Sequence, residues 1–242
     1  MGIEMYRTIR SLLEKNQNIA NIARLIHRKT FLKWKQNRRN KIFLKNAEEA
    51  LIQIDKVMKK LHITYWLEYG TLLGIYREKA FLKHDIDIDL GLFLHEYSYE
   101  IRMRMLEYGF ELKREILIDN GQYGREETYS FKGLDIDLFY FSFATEKTKM
   151  FTHLFKSEDG KSWTKTIQER GGLIVRERYF DYNGLETISF LQKEFPIPAK
   201  ADEHLASVYG EDFMIPNTSW DPYDKPQNVK ILLDKIGKVV VH

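Results

Sequence analysis

The segment Lys83 to Leu90, KHDIDIDL, sets three aspartates two residues apart with isoleucine in each gap. Side chains leave opposite faces of a β-strand in alternation, so this spacing predicts a strand that carries Asp85, Asp87 and Asp89 on one face. Neighbours on that face sit about 7 Å apart and repel one another unless water screens them or a cation binds them. A second segment, LDIDLFYFSF from Leu134 to Phe143, repeats the pattern with Asp135 and Asp137. Aspartate is depleted in strands, so five in two short strands need a reason. If the apolar faces of both anchor in a core, the acidic faces meet at one end of a sheet. Mg2+ then supplies the reason, because it is held by one or two carboxylates together with phosphate oxygens of a substrate. A water-screened strand edge is the competing reading.

The rest of the composition narrows the chemistry. The 242 residues include 43% apolar and 14% aromatic side chains, enough for a substantial core, and no run of 18 uncharged apolar residues is present. No signal-peptide pattern opens the chain, and the expectation is a cytoplasmic protein. With no cysteine and no HExxH-like spacing, disulfides and thiolate or zinc-type sites are excluded, leaving hard cations on oxygen ligands. The net charge of +3 is unevenly spread: residues 1–45 hold 12 Lys or Arg against Glu4 and Glu14, so an acidic body follows a basic leader. In that leader Ile9, Leu12, Leu13, Ile19, Ile22, Ala23, Leu25 and Ile26 recur at helical spacing, predicting one or two basic amphipathic helices. A solvated face packing on the body, an anionic membrane surface, an acceptor polymer and nucleic acid are the partners such a face fits, nucleic acid least.

Downstream, a helix is predicted from Phe43 to Leu61, then a short strand at Tyr65 to Leu67, a turn at Gly70 and Thr71, and a short helix over LLGIYREK. Another helix is expected near Ser98 to Tyr108. Strands follow near 111–118, 127–131 and 134–143, and again over 173–178 and 179–188 around a turn at Asn183 and Gly184, and PIP at 196–198 stops them. Ala201 to Tyr209 reads as the closing helix. The pattern is an α+β fold with residues 1–45 as an extension and 46–242 as the catalytic body.

Within EYGTLLGIYR, Gly70 permits a tight turn whose N–H groups, with the Thr71 hydroxyl, can hold a phosphate at a helix start. Arg77 can pair bidentately with phosphate, or form a surface salt bridge. His84 is a donor-contacting residue or a strand-end histidine. Arg125, Tyr129, Lys165, Arg176 and Arg178 are lesser candidates for contacts to a second phosphate or an acceptor, and Trp163 and Trp220 for stacking.

The stretch Tyr65 to Phe93, YWLEYGTLLGIYREKAFLKHDIDIDLGLF, resembles the signature of the LicD and fukutin-related phosphotransferases, a branch of the nucleotidyltransferase-fold superfamily. The later segments LDIDLFYF, FDYNGLE, PIP and HLASVYGEDFMIP fit the same resemblance, which covers roughly residues 50 to 225. It implies a mixed sheet flanked by helices. It also implies transfer of phosphocholine or an alditol phosphate from a CDP-linked donor to a hydroxyl of a cell-surface glycan, lipid-linked in some pathways, with release of CMP. By position, Asp87 and Asp89 correspond to the metal pair, Asp85 to the acid preceding it, Asp137 to the third carboxylate, Gly70 and Thr71 to the phosphate-holding turn and Arg77 to the motif arginine. Ile86 replaces one acid of many bacterial members, so the spaced Asp-x-Asp-x-Asp form is closer to fukutin-related protein and leans toward an alditol phosphate.

In-line transfer at phosphorus needs neutralised oxygens, which two Mg2+ ions, or Mn2+ in their place, supply from either side. Asp87 and Asp89 hold them in this reading, while Asp85 or Asp137 binds the acceptor-side ion or takes the hydroxyl proton. Two other functions fit the residues: transfer of a nucleotidyl group from an NTP, and non-enzymatic binding of anionic polymers through the leader.

Overall fold

The computed structural model describes residues 17–145, 147–217 and 228–242. The first part of the predicted leader and Trp220 lie outside them. Two compact units divide between Lys41 and Ile42. In place of separate leader and body helices, α1 runs Gln17–Leu61. No proline or glycine interrupts its sequence, so nothing stops the turn-by-turn propagation of hydrogen bonds. In the first unit, Phe31, Leu32 and Trp34 are about half exposed.

The second unit is the α+β body. From Ile42 onward, α1 buries Phe43, Ala47, Ala50, Leu51, Ile54, Val57 and Met58, a stripe at steps of three and four. Each large aliphatic or aromatic side chain of that stripe contributes about 1.5–3 kcal/mol by leaving water. After α1 come β1 (Tyr65–Leu67), α2 (Tyr69–Glu78), β2 (Asp87–Phe93), α3 (Tyr99–Glu107), β3 (Phe110–Ile118), β4 (Gly124–Phe131) and β5 (Leu134–Phe143). Then follow β6 (Lys149–Lys156), α4 (Trp163–Arg170), β7 (Leu173–Asp181), β8 (Leu185–Phe190), β9 (Lys193–Pro198), α5 (Ala201–Tyr209) and β10 (Val229–Val241). Eight strands form one mixed sheet in the order β1-β2-β5-β4-β3-β10-β7-β6, and β6 also pairs with the end of β5.

That last pairing, Ser142 with Phe151 and Phe143 with Met150, folds the far half of the sheet back on the near half. Ile88, Leu90 and Leu92 of β2 and Ile136, Leu138 and Tyr140 of β5 join the stripe of α1 in the main core. The opposite faces of β2 and β5 therefore carry the aspartates, as the alternation required. Strand β2 is held on its other side by β1, where Trp66 lies against Gly91; a Cβ at Gly91 would stand 2.2 Å from Trp66 Cε2, so only glycine fits.

Several local expectations are corrected. Gly70 and Thr71 are not a turn but the first turn of α2, because the Glu68 carboxylate caps that helix by accepting the Tyr69 N–H. Asp85 precedes the strand, which begins at Asp87; its N–H is bonded to the Leu82 carbonyl in a local turn. The PIP prolines do not end the strands: Pro196 and Pro198 lie within β9, which pairs only with β8 in a two-stranded sheet. There each proline needs no ladder partner on its outer side. Strand β7 continues past residue 178 to Asp181, and the turn expected at Asn183 and Gly184 lies between it and β8, with Gly184 at positive φ.

Candidate metal and phosphate site

Strands β2 and β5 run parallel in a register that sets Asp87 beside Asp135 and Asp89 beside Asp137. The two acidic motifs thus form one four-carboxylate face, and no intervening strand separates them. Asp135 is turned to other use: the Lys113 ammonium donates to its Oδ1 at 2.5 Å. Of the remaining three, Asp89 meets the start of α2 together with Asp85, and Asp87 and Asp137 lie close enough to Asp89 to repel it. An ideal Cβ at Gly70 would lie 3.4 Å from Asp89 Oδ2 and 3.5 Å from Asp85 Oδ1, so the two carboxylates converge on a position of the first turn of α2 that has no side chain.

Two contacts fix Asp89. The Gly70 N–H donates to Asp89 Oδ2 at 3.2 Å, using one of the amides that the start of a helix leaves unbonded. The Asp89 N–H donates to Thr71 Oγ1 at 2.9 Å. Thr71 is fully buried, and its hydroxyl ties α2 to β2. Gly70, by contrast, presents its amide directly to the carboxylate cluster.

Electrostatics express the crowding. Asp89 is raised well above the usual carboxylate range, first by burial and then by Asp87, Asp137 and Asp85, with the Gly70 amide opposing. Asp85 is pushed up to about 7, again by burial and then by Asp87, against the pull of the Leu82 backbone and Arg77. A cation between these oxygens removes both penalties. Among the described residues no three His, Asp or Glu side chains stand ready to hold a metal by themselves. The all-oxygen donor set and the gap at Gly70 fit a Mg2+ that takes two carboxylates from the protein and its other ligands from phosphate and water.

Arg77 is nine-tenths buried; it donates Nη1 to the Phe213 carbonyl at 2.8 Å and Nη2 to Glu78 at 2.9 Å. It pins the segment after α5 onto α2 and supplies positive potential to Asp85, so both of its terminal nitrogens are engaged by protein oxygens. His84 is exposed on the turn before β2. Tyr129 is wholly buried and donates to Glu127, and Arg125 bridges Glu115 and Glu127; both are interior groups on the opposite face from Asp137. Lys165 is exposed beside Glu169. Arg178, buried in β7, stands 5.9 Å from the ring of Tyr69 and so belongs to the wall of the site.

Three groups absent from the sequence reading join the site. Lys132 and Gly133, both at positive φ, close a two-residue hairpin that pairs Thr128 with Asp137 across β4 and β5. Thr128 Oγ1 donates to Asp137 Oδ1 at 2.5 Å and accepts from Arg114 Nη2 at 2.8 Å. On the same face of β4, Glu126 is pushed up to about 8 by burial and then by Asp137. Behind the metal pair, the buried Glu68 carboxylate accepts Trp66 Nε1–H and meets His204 Nε2, each at 2.7 Å, and so ties α5 to β1 next to Asp89. Counting back from the Lys132-Gly133 turn would have found Thr128; Glu68 and His204 lie 136 residues apart and carry no local signal.

Residues 62–200 match the family described as LicD/FKTN/FKRP, nucleotidyltransferase domain. The chain is 28% identical over 188 residues to the human protein named ribitol-5-phosphate transferase FKTN, covering 78% of this chain and 37% of that one. The mouse protein of the same name is 27% identical over 192 residues, 78% of this chain and 38% of its own. An uncharacterised protein of Caenorhabditis elegans is 36% identical over 81 residues, 33% of this chain and 21% of its own. This chain therefore spans less than two-fifths of the length of the fukutins it matches. Both the family and the α+β mixed sheet implied by the Tyr65 to Phe93 motif are borne out: the chain belongs to the LicD/FKTN/FKRP nucleotidyltransferase-domain family.

Proposed function

We propose that the protein is a Mg2+-dependent phosphotransferase that moves a phospho-alditol or phosphocholine group from a CDP-linked donor to a hydroxyl of a cell-surface glycan and releases CMP. The observation that carries this reading is the parallel register that sets Asp87 and Asp89 against Asp135 and Asp137, with Asp89 accepting the Gly70 N–H at the start of α2. The similarity to proteins named ribitol-5-phosphate transferases supports the alditol phosphate over phosphocholine. Asp87 and Asp89 would hold Mg2+, whose charge neutralises the donor's phosphate oxygens. The acceptor oxygen forms its bond to the donor phosphorus distal to cytidine, the bond from that phosphorus to the bridging oxygen breaks, and the electron pair leaves with CMP. The acceptor's proton passes to Asp85 or Asp137, the carboxylates flanking the pair. The Gly70 amide lies among these oxygens and is suited to a phosphate oxygen in the same way that it now meets Asp89.

CDP-ribitol, CDP-glycerol and CDP-choline, each offered with Mg2+ and glycan acceptors, test the reading by the product released. CMP from a CDP-linked donor is the expected result. Pyrophosphate from an NTP, with no CMP from any of the three, would move the protein to nucleotidyl transfer.

The acceptor side includes a membrane in this reading. Between Thr30 and Lys45 the chain has Lys33, Lys35, Arg38, Arg39, Lys41 and Lys45 and no acid. On the same stretch Phe31 stacks on Trp34 and Arg38 lies 5.9 Å over the Trp34 ring. Exposed aromatics among cations suit the interface of an anionic leaflet, where lipid-linked glycans are built. No described helix is long and apolar enough to cross a membrane.

A further inference from the structure

We infer that Thr128, keyed by Arg114, is a positioning residue that fixes how Asp137 presents its carboxylate to the metal site. The inference rests on the reading of Asp137 as a working carboxylate of that site. A carboxylate turns broadly about its last side-chain bond, so a strand register alone does not orient its oxygens. The Thr128 hydroxyl has one proton and can both give and accept. A guanidinium only donates, so at 2.8 Å from Arg114 Nη2 the threonine oxygen must accept. Its proton is then directed to Asp137 Oδ1, 2.5 Å away. Acceptance from a cation also strengthens the donation onward, since chained hydrogen bonds polarise one another.

Arg114 is itself held from three sides. It reaches Thr128, stands 3.4 Å from Glu126 and lies 5.3 Å over the ring of Trp163. The chain Trp163, Arg114, Thr128, Asp137 thus spans α4, β3, β4 and β5 and ends on the carboxylate beside Asp89. For Asp89 on β2, Thr71 of α2 does the corresponding work by accepting the Asp89 N–H. Each of the two facing aspartates is therefore set by a buried threonine, one through its backbone and one through its side chain.

Loss of an outer partner of a ligating carboxylate costs about tenfold to a hundredfold in metal affinity or activity. The test is Mn2+ affinity, read by electron paramagnetic resonance on the full chain, with thermal melts as the control for folding. Thr128→Val, which keeps the shape and deletes the hydroxyl, is expected to weaken Mn2+ binding about tenfold or more, whereas Thr128→Ser keeps wild-type affinity. Arg114→Met is expected to weaken it in the same direction. Thr128→Ala deletes the same hydroxyl should valine fail to fold. Wild-type affinity in Thr128→Val or in Arg114→Met, or a loss in Thr128→Ser equal to that in valine, would overturn the relay and leave the metal reading standing. A wild-type protein that binds no Mn2+ would overturn both.

Discussion

Asp89 and Asp137 occupy the same level of two adjacent parallel strands, each next to a buried threonine and each adding to the other's charge. Such a pair is unfavourable in isolation, because burial and repulsion both oppose ionisation. A site that holds a cation gains back what the empty carboxylates lose.

Asp87→Asn and Asp89→Asn are expected to fold and to lose transfer. Metal-assisted charge neutralisation at phosphorus supplies several kcal/mol, so the loss in kcat is on the order of 10²–10³-fold at saturating donor. Release of CMP measures it, and near wild-type turnover in purified Asp87→Asn with Mg2+ would remove that residue from the site.

Stability without metal should fall as pH rises. Asp85 is raised from 3.8 to about 7 and Glu126 from 4.5 to about 8, so between those limits the folded state binds more protons than the unfolded one. The stability these groups contribute is complete below about pH 4 and is lost progressively toward pH 8. Melting in a chelator is expected to show a lower Tm at pH 8 than at pH 5.5, and added Mg2+ should recover most of the difference at pH 8. A Tm in chelator that is flat over this range would contradict the clustering.

Gly70→Ala separates fold from function. The position is in the first turn of α2, where alanine is favoured over glycine by up to about 1 kcal/mol. Its Cβ would meet Asp89 Oδ2 at 3.4 Å and Asp85 Oδ1 at 3.5 Å, ordinary contacts that need no rearrangement. The methyl group would, however, occupy the space between those oxygens. We expect an unchanged or raised Tm with turnover down on the order of 10²-fold, the scale of a small misplacement of reacting groups. Equal turnover would show that ion and phosphate bind elsewhere on the face.

The basic stretch of α1 is best tested by substitution, because Phe43 is fully buried in the body and a deletion through residue 45 would open the core. Phe31→Ser with Trp34→Ser should reduce co-sedimentation with anionic vesicles. Exchanging Lys33, Lys35, Arg38 and Arg39 for glutamine should abolish it at low salt, since each cation near such a surface contributes about 1 kcal/mol. Binding unchanged in both variants would place the anionic partner elsewhere.

Much of this was legible in order of chain. Alternation in DIDID and LDIDLFYFSF fixed which residues face the core and which the site, because the period of a strand is two whatever its partners. The stripe on α1 from Phe43 to Met58 was equally local, and the motif from Tyr65 to Phe93 carried the family. What no stretch of sequence contained was which strand lies beside which. That β2 and β5 are parallel neighbours in register, that Asp85 leaves the strand, that Thr71 turns inward and that Arg77 grips the Phe213 carbonyl are all decided by pairings across long separations in the chain. Hydrogen-bond ladders and close packing select those pairings for the whole sheet at once. The sequence alone therefore determined the donor atoms of this protein, and only the tertiary structure decided which of them meet.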